Sequence, residues 1–391
     1  MVSLFDGPYR NNLLPFTYTR PVAELRIGMS TIREKWEHYL STITFTDTED
    51  YLIEMFPAAA HQEHLRIHAA CLPNLPLIQA IQKLTSGQKL VNNNELIAYV
   101  GPNSFSQSNM EDFETIAFSA PLAVIRYPWD LFLNNPQVLK DDFEIFTHNR
   151  TSSPISSSNR IVGNGKIFIE QGASVECAVL NTEDGPIYIG KNAKVMEGAL
   201  IRGSFFLGEN SIIKMGTKIY GGTTIGPHCK VGGEVNNSIV FGYSNKAHDG
   251  FIGNAVVGEW CNIGAATDAS NLKNNYDEVR AWSYPSQKFV KTSLQFCGLL
   301  MADHSRCSIH TMFNTATVVG VSANVFGTGF PRTFIPSFSW GGAHGFSPYN
   351  FEKAIASIRA MKSRKSHTVD DIEENMLRNV FEQSSQFRAK D

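Results

Sequence analysis

The sequence predicts a parallel β-helix preceded by a small α/β domain. Three observations carry this expectation. Ile189, Val195, Ile201, Leu207, Ile213, Ile219, Ile225 and Val231 recur at every sixth position without a miss. Small residues stand four places after most of them, at Ala193, Ala199, Ser211, Thr217, Thr223 and Cys229. Residues 1–145 lack this period and mix short strand-like and helix-like stretches.

A six-residue step fits neither a helix period of 3.6 nor a strand period of 2. It is the signature of a β-solenoid. Each hexad makes one short strand and one turn, and three hexads close a triangular coil. The aliphatic residue points inward and stacks on its equivalents above and below. The small residue fits the corner, and Gly190, Gly208, Gly226 and Gly232 relieve backbone strain there. A sandwich of short strands would not hold one fixed period. The pattern starts at Ile169 and Val175. It resumes at Ile239, Phe251, Val257 and Ile263 after a two-residue insertion, and again at Met301, Cys307, Phe313, Val319 and Val325 after a long excursion.

Taken in order, Ser3–Asp6 reads as a strand entering a turn at Gly7. Thr31 and Glu34 form a capping box for a helix through Leu40. Tyr51–Phe56 is a second strand. Pro76 opens a short helix that Gly87 closes. Lys89–Val91 and Glu95–Val100 flank Asn92–Asn94 as a hairpin. Leu122–Tyr127 is a last strand. The domains expected are therefore an α/β domain over 1–147, a Ser-rich polar linker over 148–160, the β-helix over 161–332, and a cap with a helical tail over 333–391. Residues 268–295 break the hexads and read as a loop extruded from one corner, a common place for function. Phe351–Met361 and Val369–Phe387 have helical spacing.

Composition narrows the function classes. The chain has 391 residues with 42% hydrophobic content, enough for more than one core. A net charge of −3 without a basic stripe argues against nucleic acid. No apolar run is long enough for a membrane span, and the first residues lack a signal-peptide pattern, so a cytoplasmic location is expected. Six cysteines, none in a C-x-x-C pair, fit free thiols in a reducing compartment. A zinc site built from His228, His304 and His310 would need three imidazoles converging on one ion, and their spacing does not match; no metal site is expected there.

His248 is the leading candidate for chemistry. It lies in S-N-K-A-H-D-G-F-I-G, where the hexad turns are interrupted. A histidine can take a proton from an amine or hydroxyl near neutral pH. A wall or surface histidine is the plain alternative. The surrounding stretch 207–276 resembles the acetyltransferase half of the bifunctional UDP-N-acetylglucosamine pyrophosphorylase/glucosamine-1-phosphate N-acetyltransferase family. That family carries S-K-x-x-H-L-x-Y-x-G-D-A-x-I-G-x-x-x-N-x-G-A-G-T, followed by N-Y-D. This chain carries S-N-K-A-H-D-G-F-I-G-N-A-V-V-G-E-W-C-N-I-G-A-A-T, followed by N-N-Y-D.

The resemblance implies a left-handed β-helix and a homotrimer. It implies His248 as general base, Asn262 and Lys214 as sugar-phosphate contacts, and Ala265 beside the acetyl-CoA arm. Three positions depart from the family. Its phosphate-contacting lysine falls on Asn236, its tyrosine on Phe251, and its serine near the thioester on Leu299. Each change removes a hydrogen-bond donor. Lys273, Asn274 and Asn275 in the excursion are candidate substitutes. Lys362, Arg364 and Lys365 are candidates for the 3′-phosphate of coenzyme A, with a solvated helix face as the commoner explanation of such a run.

The N-terminal stretch L-F-D-G-P-Y-R-N-N-L-L-P-F-T-Y-T-R-P-V-A-E-L resembles the nucleotidyltransferase start, a strand followed by a Gly-rich loop whose amides cradle phosphates. The match rests on Gly7, Arg10, Leu14–Thr17, Pro21 and Leu25. The second glycine is lost and Val22 stands at the lysine position. Gly7, Arg10 and Arg20 are the candidate nucleotide contacts, with Arg26 as a further cation. Mg²⁺ is implied if this domain is active. The function expected is acetyl transfer from acetyl-CoA to an amino-sugar 1-phosphate, coupled to nucleotidyl transfer giving a UDP-sugar. The alternatives are a nucleotidyltransferase with a purely structural β-helix, and a non-catalytic scaffold or regulatory protein.

Overall fold

The computed structural model describes residues 1–59, 64–101 and 110–388. They fall into two compact units. The first comprises Met1–Leu13, Thr17–Leu25 and Ser30–Tyr127; the second comprises Leu14–Phe16, Arg26–Met29 and Pro128–Asp391. The fold class is the one expected: an α/β unit, a parallel β-helix, and a helical tail.

The first unit is built on a six-stranded sheet of β1 (Val2–Phe5), β2 (Phe45–Asp47), β3 (His64–His68), β4 (Gln88–Asn92), β5 (Glu95–Gly101) and β6 (Glu114–Ala117). Its order is β2-β1-β3-β5-β4-β6. β1 pairs in parallel with β2 and β3, whereas β5 runs antiparallel to β3 and β4. The β4–β5 hairpin turns through Asn93 and Asn94, both left-handed (φ 46° and 66°), where asparagine is tolerated. Helix α1 (Ile32–Leu40) starts at the expected capping box: the Thr31 hydroxyl accepts from Glu34 N, and the Glu34 carboxylate accepts from Thr31 N. It buries Trp36, whose indole N–H donates to the Cys71 carbonyl at 3.0 Å. Helix α2 (Leu75–Ile81) is capped by Asn74.

Two expected strands are absent. Residues 51–56 form turns, because Leu52 N and Ile53 N bond back to the carbonyls of Glu49 and Asp50. Leu122–Tyr127 contributes a single bridge, Cys71 to Val124. Both are short apolar runs whose type periodicity alone does not decide.

In the second unit, three sheets of nine, ten and eight strands form the faces of the β-helix; they are parallel except for the last strand of the ten, Gly345–Pro348, which runs antiparallel to Ser339–Gly342. Ile189, Leu207 and Ile225 stack on the first face, Val195, Ile213 and Val231 on the second, and Ile201 and Ile219 on the third. All are buried in one continuous core. Each such side chain contributes about 1.5–3 kcal/mol by leaving water. At the corner after Leu207, a Cβ on Gly208 would stand 2.6 Å from the next coil's backbone, so only glycine fits.

The coils shorten after Val231, and this corrects two inward assignments. Ile225 pairs with Val240 and Val235 with Ile252. The core therefore takes Val240 and Ile252, not Ile239 and Phe251; Phe251 is turned outward and half-buried. The 268–295 excursion is also more ordered than a bare loop. It forms a hairpin, Arg280–Ser283 with Lys288–Lys291, whose Trp282 stacks on Phe334 with ring centres 4.1 Å apart. Helix α3 (Pro128–Thr147), not anticipated, lies along the β-helix. Its Asn135 donates to the Gly222 carbonyl and accepts from Gly28 N, both at 2.7 Å. Helices α4 (Phe351–Ser363) and α5 (Asp371–Gln383) close the chain.

Candidate functional site

Some of the sequence-predicted residues of the β-helix, His248, Phe251, Asn262 and Ala265, lie at or beside one corner. The second-face strand Asn245–Lys246 ends there, Ala247, His248 and Asp249 make the turn, and the third-face strand Phe251–Gly253 begins. His248 is exposed. The next coil turns beside it through Gly264, Ala265 and Ala266, and Ala266 N donates to the Asp249 carbonyl at 2.9 Å. Asn262 is exposed on the second face and pairs with Asn245. On the third face, Phe251 pairs with Glu234, and Asn236 with Gly253. Phe251 N is held by the Asp268 carboxylate at 2.8 Å. Imidazole, amide side chain and aromatic ring thus flank one edge.

Other candidates lie further off. Lys214 starts the equivalent corner two coils earlier, about 10 Å away by strand spacing. Lys273 donates to the Glu278 carbonyl within the excursion, and Asn274 is exposed beside it. Leu299 points into the core with no exposed surface, and its carbonyl accepts from Val256 N. Two of the tail cations are engaged: Lys362 pairs with Glu373 and lies over Trp260, and Lys365 donates to the His228 carbonyl, while Arg364 is exposed. Lys362 and Lys365 are thereby committed to packing the helical tail on the coils.

Sequence reasoning missed Lys246. It occupies the inward position of its strand, where Val231 stands one coil before. The side chain is 2% exposed, and its ammonium donates to the carbonyls of Gly232 and His248, each at 2.9 Å. Burial pushes its pKa down to about 8, against the opposing pull of Asp268 and Asp249. Carrying the pairing register through the shortened coil would have flagged it.

The α/β unit has its own cavity, about 1150 Å³, at the C-terminal ends of β1, β2 and β3. Asp6, Gly7, Tyr9, Arg10, His68 and Glu95 are among its lining residues. Gly7 is left-handed (φ 63°), and a Cβ there would meet the His68 ring at 2.2 Å. Burial lowers the His68 pKa to about 4, so the ring is neutral at pH 7. Arg10 is buried and spent on Asp6, the Thr17 carbonyl and the Tyr51 hydroxyl. Arg20 is buried as well. Arg126 pairs with Glu95 at 2.7 Å and covers the Tyr9 ring, a trio absent from the sequence reading. Asp6 is a poor fit to Mg²⁺. Its oxygens already accept from Arg10, Thr48 and Val22 N, and burial raises its pKa. Among the described residues, no group of three or more His, Cys, Asp or Glu is placed to hold a metal ion.

Residues 2–151 match the family model described as sugar nucleotidyl transferase. The bifunctional protein GlmU of Trichodesmium erythraeum (strain IMS101) is 33% identical over 95 residues, which is 24% of this chain and 19% of that protein's length. Among solved structures, the polySia-specific acetyltransferase NeuO is 13% identical, with 50% of this chain and 88% of that one covered and a TM-score of 0.27. An Arabidopsis UDP-N-acetylglucosamine acyltransferase is 17% identical, with 60% and 91% covered and a TM-score of 0.24. Among the described residues, no helix is long and apolar enough to cross a membrane.

Proposed function

We propose that the β-helix moves an acetyl group from acetyl-CoA to the amine of a sugar 1-phosphate, with His248 as general base. The observation that carries this reading is the exposed His248 at a corner flanked by Asn262 and Phe251 and beside Ala265. In the reaction the amine nitrogen attacks the thioester carbonyl while the His248 imidazole takes its proton. The C–N bond forms, the C–S bond breaks, and the departing thiolate recovers the proton from the imidazolium. The Ala265 amide would stabilise the oxyanion, since Gly264 N and Ala266 N already donate to the Cys307 and Asp249 carbonyls. Asn262 and Asn236 would contact the sugar phosphate, with Lys214, Lys273 and Asn274 reaching it only from neighbouring coils or the excursion. Assembly as a homotrimer would supply the facing wall of the cleft.

A second reading, nucleotidyl transfer to a sugar 1-phosphate in the α/β unit, is favoured by the family-model match over residues 2–151 and by the cavity at Gly7. The Asp6 donor set does not fit Mg²⁺, and Arg10 is spent on internal partners. The acetyl reading is tested by coenzyme A release from acetyl-CoA with glucosamine 1-phosphate and galactosamine 1-phosphate. The nucleotidyl reading is tested by pyrophosphate release from UTP and dTTP with the same sugars. Acetyl-CoA binding without turnover would point to another acceptor, and neither binding nor turnover would leave the scaffold alternative.

A further inference from the structure

Lys246 breaks the rule that builds its own coil. Every strand beside it places an apolar side chain inward, Val231 before it and Ile263 after it. An amine in that position carries a desolvation cost that an aliphatic residue would avoid. The cost is offset only by what the ammonium holds, which is the pair of carbonyls on Gly232 and His248. One belongs to the corner below and the other to His248 itself. Gly233 is shaped to admit it: a Cβ there would stand 2.7 Å from the Lys246 nitrogen. The charged or titratable groups around it are Asp249, Asp268 and Cys307.

We propose that Lys246 is a positioning residue that clamps the 247–250 corner from inside the β-helix and so fixes the aim of the His248 ring. This rests on the acetyl-transfer reading for its consequence, but the clamp itself is a property of the corner. Two backbone bonds report on it directly. Ala266 N donates to the Asp249 carbonyl, and Glu234 N donates to the Gly250 carbonyl. Both acceptors lie just past His248, in the turn that the ammonium holds.

The test compares wild type with Lys246→Met, which restores an apolar inward side chain, and Lys246→Gln, which keeps an uncharged amide donor group. Amide hydrogen exchange at Ala266 and Glu234 should speed up by about tenfold or more in Lys246→Met and by less in Lys246→Gln. Exchange at Gly208 and Gly226, one face away in earlier coils, should not change. In the acetyl-transfer assay, kcat should fall by about tenfold or more at unchanged KM for acetyl-CoA, as loss of aim rather than of binding predicts. Unchanged exchange at Ala266 and Glu234 would overturn the clamp. A His248→Ala variant run alongside separates the two ideas. If it keeps full activity, the acetyl-transfer reading fails, while the exchange data still decide the clamp.

Discussion

Lys246 gives the residue scale a pH test with a definite sign. Its folded pKa is about 8, below the unfolded value near 10.4. Below pH 8 both states hold the proton, and the folded state bears the whole penalty, about 3 kcal/mol at 1.36 kcal/mol per unit. Between pH 8 and 10 the unfolded chain binds more protons, so this contribution to stability rises with pH. The Tm difference between wild type and Lys246→Met should therefore shift in favour of wild type across that window; a pH-independent difference would remove the buried ammonium from the account. Gly7→Ala makes a second residue-scale case. It forces a side chain into left-handed backbone and against His68, and should cost at least about 1–2 kcal/mol in denaturant melts of the α/β unit. The sequence pointed to Gly7 and His248 through their motifs. It did not reveal Lys246, because the lysine's meaning depends on which residue of a shortened coil faces inward.

At the scale of elements, legibility followed the strength of the local signal. The hexad repeat gave the strand positions of the long regular stretch, since one aliphatic residue per strand must meet its neighbours on the core side. The register slipped where coils shortened, at Ile239 and Phe251, because a fixed period cannot anticipate a trimmed corner. Helix α1 was readable to its first residue because its capping box is a local hydrogen-bond exchange. Thr31→Ala should cost about 1 kcal/mol of stability. Helix α3 was invisible because its partners, the 26–29 segment and the 222–224 corner, are distant in sequence. Core truncation separates the two kinds of element: Ile213→Ala should destabilise the β-helix by about 2–5 kcal/mol, seen as a lower midpoint in guanidinium, because coils above and below cannot collapse into the gap.

At the scale of the whole molecule, residues 2–151 match a sugar nucleotidyl transferase family model, and the β-helix that follows carries an exposed histidine corner, the basis of the proposed acyl transfer. The two units differ in how their sites are equipped. In the α/β unit, Arg10 and Asp6 consume each other, and a neutral His68 fills the space beside Gly7. In the β-helix, His248 is exposed at the surface while a buried ammonium holds its carbonyl. The most direct test of the central claim is kcat/KM for coenzyme A release with an amino-sugar 1-phosphate, measured for wild type and His248→Ala. The account predicts a loss of about a hundredfold or more on substitution, the scale of general-base catalysis. Turnover by His248→Ala equal to wild type would contradict it.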